Sequence, residues 1–153
     1  MMANSTYLVS AKARINAPAD RVYSIIADYR NGHPHILPKQ FGPLIVDAGG
    51  YGAGTVIRFS IVALGRKTNF RAVVSEPQPG RVLVERNDPP NDSVSTFTVE
   101  SCGPSECDVT IATEMPRRPG IFGAIEKFTA TRVMNGMYRD ELKLLEAVAT
   151  AGA

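Results

Sequence analysis

The chain has 153 residues, of which 44% are hydrophobic and 21% charged, as expected for one globular domain that buries a core without metal or disulfide help. Seventeen Lys and Arg against fifteen Asp and Glu leave a formal net charge of +2. With no basic block, no long apolar run and no basic-then-apolar N-terminal segment, the sequence excludes a typical nucleic-acid-binding surface, a membrane span and a secretory signal, and predicts a cytoplasmic location.

The first elements are a strand and a short helix. Apolar and polar residues alternate in YLVSAKARIN, residues 7–16, which is typical of a half-buried strand. Pro18 then marks a helix start, and Asp20 places a carboxylate at the positive end of the helix dipole. Apolar residues continue at helical spacing as far as Tyr29, after which RNGHPHILP ends the helix.

The middle of the chain predicts an antiparallel meander. Six segments rich in Val, Ile, Phe and Thr alternate with turn sequences. The segments are FGPLIVDA, GTVIRFSIVA, TNFRAVVSEP, RVLVERN, SVSTFTVES and CDVTIATEM, and the turns are AGGYGAG, LGRK, QPG, DPPND and GPSE. With the first strand, the expected sheet has about seven strands.

From about Pro119 to Ala149 helix formers dominate and no further proline occurs, which predicts one long helix. Its apolar residues form two stripes on roughly opposite sides, and Gly136 is a plausible bend between them. The first stripe comprises Ile121, Ile125 and Phe128, and the second comprises Met134, Met137, Tyr138, Leu145 and Val148. We expect the two halves to bury different faces, and we place Glu141 at the edge of the second stripe.

Both histidines lie in HPHILP, residues 33–38. His33 and His35 are open to three interpretations: metal ligands, a catalytic base, or exposed residues at the rim of a site. The spacing suggests no third ligand, and a base needs a positioned partner, so we favour the rim and predict no metal.

Four stretches, INAPADRVYSIIADYRN, GAGTVIRF, VVSEPQPGRVLVER and YRDELKLLEAV, occur in this order. Together they resemble the START-related, birch-pollen-allergen-like (SRPBCC) superfamily, and within it the polyketide cyclase/dehydrase and lipid-transport family. The resemblance spans about residues 7 to 149. It implies an α+β helix-grip fold: a curved antiparallel sheet of about seven strands wrapped around a long C-terminal helix, with one or two short helices after the first strand. We expect a single START-like ligand-binding domain over residues 1–153.

The resemblance also implies a deep, mostly apolar cavity between sheet and helix, with HPHILP near its mouth. The residues that we expect to contact a ligand are Tyr29, Ile36, Leu37, Phe59, Ile121, Phe122, Ile125, Phe128, Arg132 and Met137. The apolar residues among them could equally be core residues, since a helix that covers a cavity presents the same residue types to a ligand as to a core. Arg132 either reaches water, pairs with a strand carboxylate such as Glu85, or anchors an acidic ligand.

Three functions remain open from the sequence. The first is the binding, as carrier or sensor, of a small hydrophobic ligand such as a lipid, quinone or polyketide-like molecule. The second is a cyclase or dehydratase-like enzyme using the same cavity without a metal or redox cofactor, with His33, His35, Arg132 and Tyr138 as weak catalytic candidates. The third is an accessory factor that docks another protein. Monomer and dimer are both compatible with the sequence.

Overall fold

A computed structural model describes residues 5–151, and these form a seven-stranded antiparallel sheet and a long C-terminal helix. The sheet order is β1-β7-β6-β5-β4-β3-β2, so each strand from β2 to β6 pairs with the next one in sequence, and β1 pairs with β7. The predicted helix-grip architecture is therefore confirmed.

The strands have the bounds β1 Thr6–Ile15, β2 Ile45–Ala48, β3 Val56–Ala63, β4 Arg66–Gln78, β5 Val82–Asn87, β6 Val94–Ser101 and β7 Cys107–Pro116. Strand β2 is shorter than the segment FGPLIVDA that predicted it. The β3–β4 turn is tighter than LGRK indicated, because Leu64 and Gly65 both have positive φ, as a two-residue hairpin turn requires.

The helices are α1 Ala19–Ala27, a 3-10 helix His33–Ile36, and α2 Gly120–Thr150. Helix α2 is continuous through Gly136 and packs against β1, α1 and the 3-10 helix. Its most buried residues are Gly123, Met137, Tyr138, Glu141, Leu142, Leu145 and Ala149. The second predicted stripe therefore faces the core, and the first does not.

The core lies between α2 and one face of the sheet. Alternate strand residues point to that face, and cross-strand partners continue it from strand to strand. Leu83 of β5 is opposite Phe97 of β6, which is opposite Ile111 of β7. All three side chains are buried. No helix among residues 5–151 is both long and apolar enough to cross a membrane.

Candidate functional site

A cavity of about 450 Å³ lies between the sheet and α2. Its walls come from the core-facing residues of β3 to β7, from α2 and from the segment after α1. Most of the lining is apolar, and includes Leu37, Phe59, Ile111, Val133, Met134 and Met137. A cavity of this size and character is typical of a small-molecule site.

The cavity also has a polar floor, which begins with His33. Gly32 allows the chain to turn sharply after α1, because a Cβ at this position would lie 2.5 Å from the Ile25 carbonyl oxygen. The turn directs His33 inward, and only 3% of this residue is exposed. Its Nδ1 lies 2.7 Å from the Ile26 carbonyl oxygen. Since a carbonyl only accepts hydrogen bonds, Nδ1 carries the proton and Nε2 faces the floor.

Two buried carboxyl groups face this imidazole. His33 Nε2 lies 3.8 Å from Oε2 of Glu85 on β5, and 3.9 Å from Oε1 of Glu141 on α2. The Tyr29 hydroxyl donates a 2.6 Å hydrogen bond to Glu85, and its ring stacks on the imidazole with centroids 4.6 Å apart. The floor thus combines residues from three separate parts of the chain: the segment after α1, β5 and α2.

The two carboxyl groups differ in their electrostatic environment. Burial, and then the nearby charge of Glu85, raise the pKa of Glu141 well above its usual range. Burial likewise raises the pKa of Tyr29, which keeps that phenol protonated as the hydrogen-bond donor to Glu85. The raised pKa favours the protonated form of Glu141, while Glu85 accepts the hydrogen bond from Tyr29.

A row of hydroxyl groups continues the floor across the sheet. Glu85, Ser95 and Thr113 are cross-strand partners on β5, β6 and β7. The Ser95 and Thr113 hydroxyl oxygens are 2.8 Å apart, and Thr113 also hydrogen-bonds the Tyr138 hydroxyl. Burial raises the pKa of Tyr138, so this phenol stays protonated.

Asn87 of β5 also lines the cavity, and its amide group is only partly hydrogen-bonded within residues 5–151. Its Nδ2 donates a 2.8 Å hydrogen bond to Ser93, but its Oδ1 is buried without a hydrogen-bond partner among residues 5–151. A buried amide oxygen left unpaired costs about 1–3 kcal/mol, so a donor brought by a ligand would be favoured here.

The structure brings some of the predicted site residues to the cavity. His33, Leu37, Phe59, Met137 and Tyr138 line it. Tyr29 and Ile36 are buried beside the floor without lining the cavity.

The remaining predicted residues lie elsewhere. His35 is exposed on the 3-10 helix. Ile121, Phe122, Ile125 and Phe128 are exposed on α2. Arg132 is also exposed, with its guanidinium 5.7 Å from the Phe128 ring centroid, and so does not pair with Glu85.

Two placements from the sequence are corrected. His33 is buried at the cavity floor instead of exposed at the rim, because the turn at Gly32 aims it inward. Glu141 is only 2% exposed and faces the cavity, so it does not lie at the edge of an apolar stripe. Burial of Glu141 is tolerated because the group can hold a proton and remain neutral.

Sequence reasoning missed the site roles of Glu85, Asn87, Ser95 and Thr113. A signal for two of them was present in VLVERN, where Glu85 and Asn87 share the alternation phase of the fully buried Leu83. Polar residues in the phase of a buried leucine point to a polar feature inside. Among the described residues, no cluster of three or more His, Cys, Asp and Glu side chains could hold a metal ion.

The fold and its partly polar cavity are those of a helix-grip protein. The chain belongs to the polyketide cyclase/dehydrase and lipid transport family, whose sequence model matches residues 7–150. The family resemblance noted from the sequence is thereby confirmed. No curated protein matches this chain significantly.

Solved structures share this fold. The chain is similar to the KanY protein, with 26% identity, a TM-score of 0.81 and coverage of 97% of this chain and 99% of that one. The protein TTHA0849 from Thermus thermophilus has 24% identity and a TM-score of 0.77, with 96% and 99% covered. The Zhui aromatase/cyclase from Streptomyces sp. R1128 shares the fold at 16% identity and a TM-score of 0.72, with 97% and 99% covered.

The buried proton on Glu141 predicts a pH-dependent stability. The folded chain holds this proton above pH 4.5, the usual pKa of the group, where the unfolded chain releases it. Stability therefore decreases as the pH rises, by up to about 1.4 kcal/mol per pH unit from this group, until the folded-state pKa is reached. Glu141→Gln keeps the neutral shape and should gain stability relative to the native chain as the pH rises above 4.5 in urea unfolding.

The matched control is Glu126→Gln, an exposed carboxylate on the same helix. This variant should follow the native pH profile. If Glu141→Gln and the native chain lose stability in parallel as the pH rises, then Glu141 is ionised in the folded protein and the description of the floor is wrong.

Proposed function

We propose that this protein binds a small, mainly apolar molecule that carries oxygen substituents, such as a lipid, quinone or polyketide-like compound, and acts as its carrier or sensor. The whole chain would serve as a single ligand-binding domain. The observation that supports this most directly is the cavity of about 450 Å³, whose apolar walls end at a polar floor.

The walls would supply most of the affinity. Burying apolar ligand surface contributes roughly 25 cal/mol per Å², which the lining of Phe, Ile, Leu, Val and Met makes available. The methionines of α2, Met134 and Met137, are flexible and polarisable, so they can adapt to ligands of different shape.

The floor would set orientation and selectivity. A ligand hydroxyl can donate a hydrogen bond to the unpaired Oδ1 of Asn87. A ligand carbonyl can accept a hydrogen bond from protonated Glu141 or from a hydroxyl of the Ser95–Thr113–Tyr138 row. A pure hydrocarbon would leave these groups unsatisfied, so we expect oxygenated ligands to bind more tightly than hydrocarbons of equal size.

Filling the cavity should abolish binding. Ala130 lines the cavity from α2, and the indole of Ala130→Trp would occupy the space that a ligand needs. We expect at least a tenfold loss of affinity in displacement of a fluorescent apolar dye by quinones, flavonoid-like phenols and fatty acids.

Ala124→Trp is the matched control, because Ala124 is an exposed position on the same helix. It should keep the native affinity, and thermal unfolding should show both variants folded. Equal ligand affinity of Ala130→Trp and the native chain would place the binding site outside this cavity.

The buried acid–base cluster favours a second candidate, a dehydratase or cyclase-like enzyme acting on a β-hydroxy carbonyl compound in the same cavity. Glu85 would remove the proton next to the substrate carbonyl, and that C–H electron pair would form the new double bond. Glu141 would protonate the departing hydroxyl, which leaves as water. His33 Nε2, 3.8 and 3.9 Å from the two carboxyl groups, would then return the proton from Glu85 to Glu141.

The variant Glu141→Gln distinguishes this enzyme from a protein that only binds a ligand, because it keeps the shape of the side chain but has no acidic proton. An enzyme should lose about 10²-fold or more in turnover of aromatic β-hydroxy ketones, measured by water loss in mass spectrometry, while ligand affinity changes little. Glu126→Gln should retain full turnover. If the native chain shows no turnover above buffer, or Glu141→Gln matches it, the chain is a binding protein only.

A further inference from the structure

The outer side of the first half of α2 carries a continuous apolar surface, the α2 patch, made of Ile121, Phe122, Ile125 and Phe128. These residues are 71%, 84%, 55% and 65% exposed. On an ideal helix Ile121, Ile125 and Phe128 lie within roughly 60° of one another, with Phe122 beside Ile125. Large contiguous apolar surface on a folded domain is typical of an interaction site.

The α2 patch is unrelated to packing of the core. Met137, Glu141 and Leu145 face the sheet, and on an ideal helix they lie roughly opposite Ile121 and Ile125. Among residues 5–151, packing of the core does not account for the two exposed phenylalanines. Contact with an interface would account for them.

Basic residues accompany the patch along the chain. Residues 117–132 contain four cationic side chains, Arg117, Arg118, Lys127 and Arg132, against one carboxylate, Glu126. That net charge of +3 exceeds the +2 of the whole chain, so the remainder of the protein is nearly neutral or slightly acidic. Within the part of the chain that the structure describes, Arg118 is the one of these cations with an ion-pair partner, at 3.7 Å from Glu126.

The mouth of the cavity lies next to the patch. Glu126 and Thr129 of α2 line one side of the cavity, and Leu64 and Arg66 of the β3–β4 hairpin also line it. Leu64 is 75% exposed at the turn, and Arg66 and Lys67 beside it add two exposed cations. The hairpin turn thus combines an exposed apolar side chain with two cations, as the patch does.

We propose that the α2 patch and the Leu64 hairpin turn dock this protein onto a membrane surface that contains anionic phospholipids, with the cavity mouth near the bilayer. Such a surface complements both features of the patch. The acyl chains can contact the phenylalanines and isoleucines, and the headgroup phosphates can pair with the arginines. A second copy fits less well, because a symmetric contact through this patch would bring its own basic rims together. The proposal is independent of which ligand the cavity holds.

The test uses the full chain and sedimented lipid vesicles. We expect binding to vesicles of phosphatidylcholine mixed with phosphatidylglycerol, and at least about tenfold weaker binding to pure phosphatidylcholine. Raising the salt concentration should weaken the first interaction, because the Debye length shortens to about 3 Å at 1 M.

Two variants test the apolar and the electrostatic contributions to vesicle binding separately. Phe122→Ser/Phe128→Ser should reduce binding to the anionic vesicles by about tenfold or more, since both apolar anchors are lost. Arg117→Gln/Arg118→Gln should reduce it by about tenfold, with little change on pure phosphatidylcholine. The matched control is Leu8→Ser/Val73→Ser, which removes two exposed apolar side chains from the sheet surface.

No binding to anionic vesicles, or equal losses in the control and patch variants, would overturn the proposal. So would a dimer in analytical ultracentrifugation that Phe122→Ser/Phe128→Ser dissociates, because a second copy would then cover the patch. The Ala130→Trp variant should still bind vesicles although its cavity is filled, so failure of this proposal and failure of the ligand-binding proposal give different results.

Discussion

The cavity depends on the way in which α2 packs on the sheet. Tyr138, Leu142 and Leu145 in the second half of the helix are buried, whereas most side chains of the first half remain exposed or line the opening. A curved sheet with a single helix across it has more concave surface than one helix can cover. The space left under α2 is therefore built into the architecture, and close packing at one end of the helix holds it open at the other.

The same geometry determines the electrostatics of the floor. His33, Glu85 and Glu141 come from the segment after α1, from β5 and from α2, and they meet where sheet and helix converge. Removal from water, and then the charge of Glu85, raise the pKa of Glu141, which favours its protonated form. An apolar cavity with one neutral acid and one acceptor at its base can orient an oxygenated ligand, and it also holds the elements of proton transfer. Membership of the polyketide cyclase/dehydrase and lipid transport family is compatible with either use.

The two halves of α2 have separate tasks. The second half completes the core and supplies Tyr138 and Glu141 to the site. The first half borders the mouth and presents its apolar residues outward, with exposed arginines before and after them in the chain. An apolar ligand must cross from its source into a cavity without long exposure to water. A docking surface beside the entrance would shorten that path, which connects the proposed binding site to the proposed membrane contact.

The amino-acid sequence was sufficient to predict the elements and their order. Alternation of period two indicated the strands, the helix formers after Pro119 indicated α2, and the family resemblance supplied the helix-grip arrangement. Which side of each element faces inward depends instead on how the elements pack in three dimensions. Ile125 and Met137 have the same apolar character, yet one is exposed and the other is buried. Apolar character alone does not distinguish a residue that packs in the core from one that faces a ligand or a lipid. Likewise, His33 and Glu141 became site residues only when distant segments of the chain were brought together.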